Sequence, residues 1–127
     1  MGTFSVQFRV SSLNKAGKFV DMEGIVDTGA ALPLIPAKIL RSLGIKPTHE
    51  KTFVLADGSR IRLGIGEGRL AYAKKDAPCL VAFAPPSTEP LFGALALESL
   101  GLEVDSVNRR LKATKLYLVA ATGREAR

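Results

Sequence analysis

Hydrophobic positions in this chain fall in short runs, mostly of period two, broken by turn-forming residues. Phe4, Val6, Phe8 and Val10 alternate with polar neighbours, the pattern of a half-buried strand. Residues 14–17 read as a turn, and residues 19–26 resume extended character and run straight into Asp27. The first two strands are therefore expected to form a hairpin whose second arm delivers Asp27 to a loop. Further on, residues 52–55 and 61–65 flank Ala56-Asp57-Gly58-Ser59-Arg60, a strong hairpin signal in which both turn positions can need positive φ. A chain patterned in this way packs strands, not a helix bundle.

Two short helices interrupt the strands. Ile39, Leu40 and Leu43 share one helical face, Pro36 suits the first helical position, and Gly44 suits the position just past the end. A second helix reads from Ala94 to Leu100, with Gly101 as its stop. Ser42-Leu43-Gly44-Ile45 and Ser99-Leu100-Gly101-Leu102 end alike, each with an apolar residue placed to fold back on the helix. That match hints at an internal two-fold repeat. Gly64, Gly66 and Gly68 fall on one face of a strand and predict a close backbone approach or a bend there. Residues 111–113 and 116–120 are further strand candidates, and residues 122–127 form a polar tail.

Length and composition bound the function. At 127 residues the chain holds one domain, with an ordered core expected over 3–121. No apolar run approaches the roughly 20 residues that span a bilayer, and the first nine residues lack the continuous apolar segment of a signal peptide. A soluble cytoplasmic protein without membrane contact is the expectation. The single cysteine, Cys79, lies in an apolar run that reads as a buried strand. The single histidine, His49, lies in a polar connection and reads as solvated. A Cys79–His49 nucleophile pair has no local motif behind it, and zinc sites built on these ligand types are excluded by number. Eighteen basic against 12 acidic residues give a net charge of +6. The basic residues are dispersed, with no repeated aromatic–basic interleaving, so the charge reads as a solvated surface and not as a nucleic-acid platform.

One motif carries chemistry. The strand Glu23-Gly24-Ile25-Val26 running into Asp27-Thr28-Gly29-Ala30 resembles the active-site loop of the aspartic proteases. An Asp57-Gly58 hairpin follows where that family has its flap. Then comes Leu91-Phe92-Gly93 with a helix and a strand behind it, similar to the signature that closes the lobe in retroviral-type members. The resemblance, to the retropepsin-like family in the form of a stand-alone cellular or prokaryotic-style member, covers roughly residues 4–120.

The resemblance implies an all-β, closed-barrel-like single lobe with one or two short helices. It implies an endopeptidase active as a homodimer, with a peptide or protein substrate and no metal or organic cofactor. Asp27 would be the catalytic carboxylate. Thr28 would bond across to the partner loop, Gly29 would leave room beside the carboxylates, and Ala30 would complete the loop. Ala56, Asp57, Gly58 and Ser59 would form the flap over the substrate, and Leu91, Phe92 and Gly93 would underlie the loop. Residues 115–120 would supply interface strand pairing. Asp21, Asp76 and Asp105 read as turn or surface residues. Ala31 and Leu32 depart from the family pattern, since polar or acidic residues commonly stand there. The rival reading is a catalytically silent peptide-binding or dimerisation module on the same fold.

Overall fold

The structure, a computed structural model, describes residues 3–14 and 17–115. The alternation at the N-terminus forms β1 (Ser5–Ser11), paired antiparallel with β2 (Phe19–Val26) as expected of a hairpin. Phe8 and Val10 on β1 and Met22 and Val26 on β2 turn into the core. Cross-strand neighbours on the outer face include Arg9 and Asp21, whose ion pair at 2.7 Å is exposed to solvent and adds little to stability.

Beyond Asp27 the chain forms β3 (Leu34–Pro36) and α1 (Ala37–Ser42). Pro36 keeps an extended ψ of 131° and stands just before the helix, so it ends β3 and does not occupy the first helical position. Gly44 takes φ +80°, and the amides of Gly44 and Ile45 cap the carbonyls of Arg41 and Leu40. Leu40 and Ile45, both buried, make the apolar contact that accompanies such a stop.

Strand β4 (His49–Val54) begins earlier than expected, because residues 49–51 extend the ladder with β5 (Arg60–Tyr72). His49 is exposed, in keeping with its reading, and its Nδ1 lies 2.9 Å from the Thr48 hydroxyl. β5 runs for 13 residues and pairs over its second half with β6 (Lys75–Ala84). The close approach expected at the three glycines is present. A Cβ on Gly66 would fall 2.8 Å from the Lys46 carbonyl oxygen, and one on Gly64 would fall 2.9 Å from Pro47. The connection after α1 therefore lies directly on β5. Cys79 is buried on β6, and burial raises its thiol pKa. With Cys79 in the core and His49 in solvent, the two form no nucleophile pair.

β7 (Leu91–Phe92) leads into α2 (Ala94–Leu100), which stops at Gly101 with φ +66°. β8 (Leu102–Asp105) and β9 (Arg110–Ala113) then form a separate two-stranded hairpin. The main sheet runs β1-β2-β7-β3-β6-β5-β4, and an added β1–β5 pairing closes the first six into an irregular ring, with β4 extending from it. Within the ring, β2–β7 and β3–β6 are both parallel, and β3–β7 between them is antiparallel. The units β2-β3-α1 and β6-β7-α2 thus repeat about a local two-fold, which is the symmetry hinted at by the matching helix ends.

Phe92 stands at the centre of the core, fully buried, with the Phe8 ring centroid at 5.0 Å and that of Tyr72 at 6.3 Å. Gly24 makes room for this packing, since a Cβ there would fall 2.8 Å from the Phe8 ring. No helix among the described residues is long and apolar enough to cross a membrane. The strand expected at 116–120, the tail at 122–127, and residues 15 and 16 of the first turn lie outside the described residues, and Lys115 is in no strand.

Candidate active site

Asp27 follows immediately on β2, and the peptide groups around it are tied to three neighbours. The amides of Ile25 and Asp27 donate to Pro90 and Phe92 at 3.0 and 3.2 Å, and the intervening Val26 amide donates to Phe4 at 2.9 Å. This alternation is the ladder pattern of a strand with partners on both edges. It fixes the backbone height of Asp27 relative to Phe92.

The loop then turns on its own side chain. The Gly29 amide donates to Asp27 Oδ1 at 2.9 Å, and the Ala30 amide donates to the Asp27 carbonyl at 3.1 Å. Such a bond from an aspartate to the backbone two residues on is a standard turn device. A Cβ on Gly29 would stand 3.2 Å from Oδ1, so glycine leaves the carboxylate uncrowded. Asp27 is half-buried, and no hydrogen bond engages its Oδ2 among the described residues. Thr28 and Gly29 are exposed, and Ala30 is half-buried.

Leu91 pairs with Ile25 and Leu34, the Phe92 carbonyl meets the Asp27 amide, and Gly93 lies against the loop. A Cβ on Gly93 would fall 2.5 Å from the Leu32 carbonyl oxygen and 2.7 Å from that of Ala30. Only glycine admits that contact. The Ala94 and Leu95 amides at the start of α2 donate to the Ala30 and Ala31 carbonyls at 2.7 and 3.1 Å. Helix-start amides otherwise lack partners, so loop and helix satisfy each other. At the loop's far end Pro33 is buried and its carbonyl accepts from Ala82 at 2.9 Å. Neither Phe4 nor the Ala82 tie was foreseen, because both act through peptide groups that any side chain carries.

The four hairpin-tip residues form a group of their own. Ala56, Asp57, Gly58 and Ser59 are all exposed, and no hydrogen bond links them to the Asp27 loop among the described residues. Only Gly58 takes positive φ, +88°, so the tip is not the two-residue turn with two left-handed positions. The Gly58 amide donates to Leu55 and the Leu55 amide to Ser59, a three-residue tip of the glycine-bulge kind. Asp57 Oδ1 accepts from the Ser59 hydroxyl at 2.6 Å and from its amide at 2.9 Å. These bonds stabilise the charged form and hold the carboxyl below its usual pKa.

Asp21 and Asp76 pair on the surface with Arg9 and Arg69, and Asp105 caps the turn after β8 through Asn108. A depression of about 220 Å³ opens beside Asp27, lined also by Phe4, Val26, Thr28, Val104 and Ser106. A larger groove of about 780 Å³ lies elsewhere, between α1, the β4–β5 hairpin and the end of β6, and the Asp27 loop does not line it.

No family model and no curated protein matches the sequence. Among solved structures, a retropepsin-like aspartic protease from Rickettsia conorii superposes with a TM-score of 0.51 at 20% identity, covering 83% of this chain and 89% of that one. At that identity the likeness concerns architecture. The chain has the fold of a single retropepsin-like lobe, with Asp27 on the loop between its second and third strands.

Proposed function

We propose that the chain is an aspartic endopeptidase that works as a homodimer, each copy supplying one Asp27. The observation that carries this reading is the anchoring of the Asp27 loop. Four segments hold the backbone, one carboxylate oxygen is spent on the Gly29 amide, and the other is left without a protein partner among the described residues. A free oxygen on a rigid loop is what a water-activating group needs.

One carboxylate does not suffice for this chemistry. Two held a few ångströms apart share a proton, since both cannot ionise cheaply at that separation. The ionised member takes a proton from water as the water attacks the peptide carbonyl. The protonated member donates to the carbonyl oxygen and stabilises the tetrahedral intermediate. The proton then passes to the departing amine. Thr28 stiffens the pair across the dimer, and the hairpin tip at 56–59 closes over the substrate and excludes water.

Cleavage of a peptide library at mildly acidic pH by wild type and by Asp27→Asn tests the proposal. Asp27→Asn should lose on the order of 10³-fold in rate, in the range general acid–base groups supply. Equal activity of the two proteins would end the reading, and so would absence of cleavage by a dimeric wild type, which would favour the silent module.

A further inference from the structure

The larger groove lies beside a strand edge that the sheet leaves open. Ile65 of β5 is paired on both sides, with His49 of β4 and with Ala82 of β6, whereas residues 60–64 pair with β4 alone. Residue type dictates where the second pairing stops. β6 runs on beside β3, reaching Pro36 at Ala84, and Pro85 and Pro86 come next. Continued in the register it keeps with β5, the chain would set Pro85 and Pro86 opposite Arg62 and Ile61, and neither proline has an amide hydrogen to donate. The ladder ends there. No backbone hydrogen bond outside the β4 ladder reaches residues 61–64 among the described residues, so the other edge of β5 keeps its amides and carbonyls free.

The groove of about 780 Å³ follows this edge, and Ile61, Arg62, Leu63 and Gly64 all line it. Successive side chains of a strand point to opposite faces, so four consecutive residues share one groove through their common edge. Four residues make an edge of roughly 13 Å. Helix α1 contributes Lys38 and Arg41, both exposed and spaced to share a helix face. Glu50, the one carboxylate lining the groove among the described residues, is paired with Arg62 at 2.8 Å. No carboxylate pairs with Lys38 or Arg41 among the described residues.

Alternating free amides and carbonyls are matched by another extended backbone, and free cations by carboxylates. We propose that the groove is a docking site for an extended acidic segment of a partner protein, added as a strand to residues 61–64 of β5 with its carboxylates against Lys38 and Arg41. Pro47, Pro85 and Pro86 give the segment's side chains apolar contact. The Asp27 loop lines no part of this groove, so the segment is held without being presented to Asp27, and the site stands apart from the protease reading.

Fluorescence anisotropy at neutral pH with a labelled octapeptide of alternating valine and glutamate tests this. The same peptide with lysine for glutamate, the same peptide with N-methylated backbone amides, and a single-stranded oligonucleotide are the comparison probes. Wild type should bind the glutamate peptide and bind the lysine and N-methylated peptides about tenfold or more weakly. Lys38→Glu combined with Arg41→Glu should weaken the glutamate peptide by about tenfold or more, because two attractions become repulsions. Circular dichroism checks the fold, and Lys38→Ala with Arg41→Ala carries the same direction should the double reversal unfold. Amide resonances of residues 61–64 should move in NMR spectra as the peptide is added. No binding by wild type, undiminished binding by a folded double variant, equal binding of the N-methylated peptide, or unmoved resonances at 61–64 would each overturn the proposal. An oligonucleotide that binds as tightly as the glutamate peptide, and is lost in the same variant, would overturn it in favour of a general polyanion patch. All of these outcomes leave the Asp27 reading standing, and a wild type that cuts no peptide leaves the docking site standing.

Discussion

The amide of Asp27 donates to the carbonyl of Phe92 at 3.2 Å, so the candidate catalytic residue takes its position from the best-buried aromatic of the core. Phe92 is packed by Phe8, Phe8 has its place because residue 24 is glycine, and the next residue, Gly93, lies against the loop that Asp27 begins. Core packing and site geometry are one arrangement here.

Gly93→Ala should damage both. Its methyl would enter the space of the Leu32 and Ala30 carbonyl oxygens, backbone atoms that have no rotamer to yield. Denaturant unfolding should show a loss of about 1–3 kcal/mol or more, as overpacking gives. Peptide cleavage should fall further than the unfolded fraction explains. Wild-type stability in Gly93→Ala would mean that the loop is not packed as described.

Phe8→Ala and Arg9→Ala separate the core from the surface on adjacent residues. Loss of the buried Phe8 ring should cost about 3–5 kcal/mol. Loss of Arg9, whose partner Asp21 is also well exposed, should cost far less than loss of the Phe8 ring. Thermal or urea unfolding of the two variants reads the difference, and equal costs would contradict the assignment of Phe8 to the core.

The hairpin tip should respond to acid. Asp57 has a pKa held below its ordinary 3.8 by the Ser59 hydroxyl and amide. A lowered carboxylate contributes its bonds fully above the ordinary value and loses them as pH falls through its own lower one. The Ser59 amide resonance, followed by NMR, should therefore titrate with a midpoint below 3.8, and Asp57→Ala should abolish that titration. A midpoint at or above 3.8 would show that the tip bonds do not form in solution.

Dimerisation should strengthen with salt. Each copy carries +6, so two copies repel on approach, and that repulsion is screened beyond about 8–10 Å at ordinary ionic strength. Apolar contacts between copies do not weaken with salt. Sedimentation at low and at moderate sodium chloride should give the tighter dimer at the higher concentration. The opposite trend would point to an interface built on ion pairs.

Much of this was legible in the sequence, for identifiable reasons. The alternation at Phe4, Val6, Phe8 and Val10 fixed both the hairpin and its inward face, because period two admits one register of burial. The helix stops at Gly44 and Gly101 were readable because left-handed backbone there favours glycine. The early start of β4 was not readable, since residues 49–51 are polar and are held by ladder bonds to β5 that carry no side-chain signature. Pro36 stands one step before the first helical position, and residue type alone does not separate the two, as proline's fixed φ suits both the end of a strand and the start of a helix. The contact of Gly93 with the Ala30 and Leu32 carbonyls depends on a glycine that is visible as a residue type, whereas the tie from Val26 to Phe4 runs through peptide groups alone. The approach of Ser106 to Asp27 is a matter of tertiary placement that no local pattern announced.

The central claim is that one active site needs two copies of Asp27, and mixing tests it most directly. Wild type and Asp27→Asn are combined at constant total protein under conditions of free subunit exchange, and peptide cleavage is followed against the wild-type fraction. If both carboxylates are required, activity follows the square of that fraction, and an equal mixture retains about a quarter of the full rate. A linear decline, with about half the rate left in the equal mixture, would show that a single Asp27 suffices and would contradict the account.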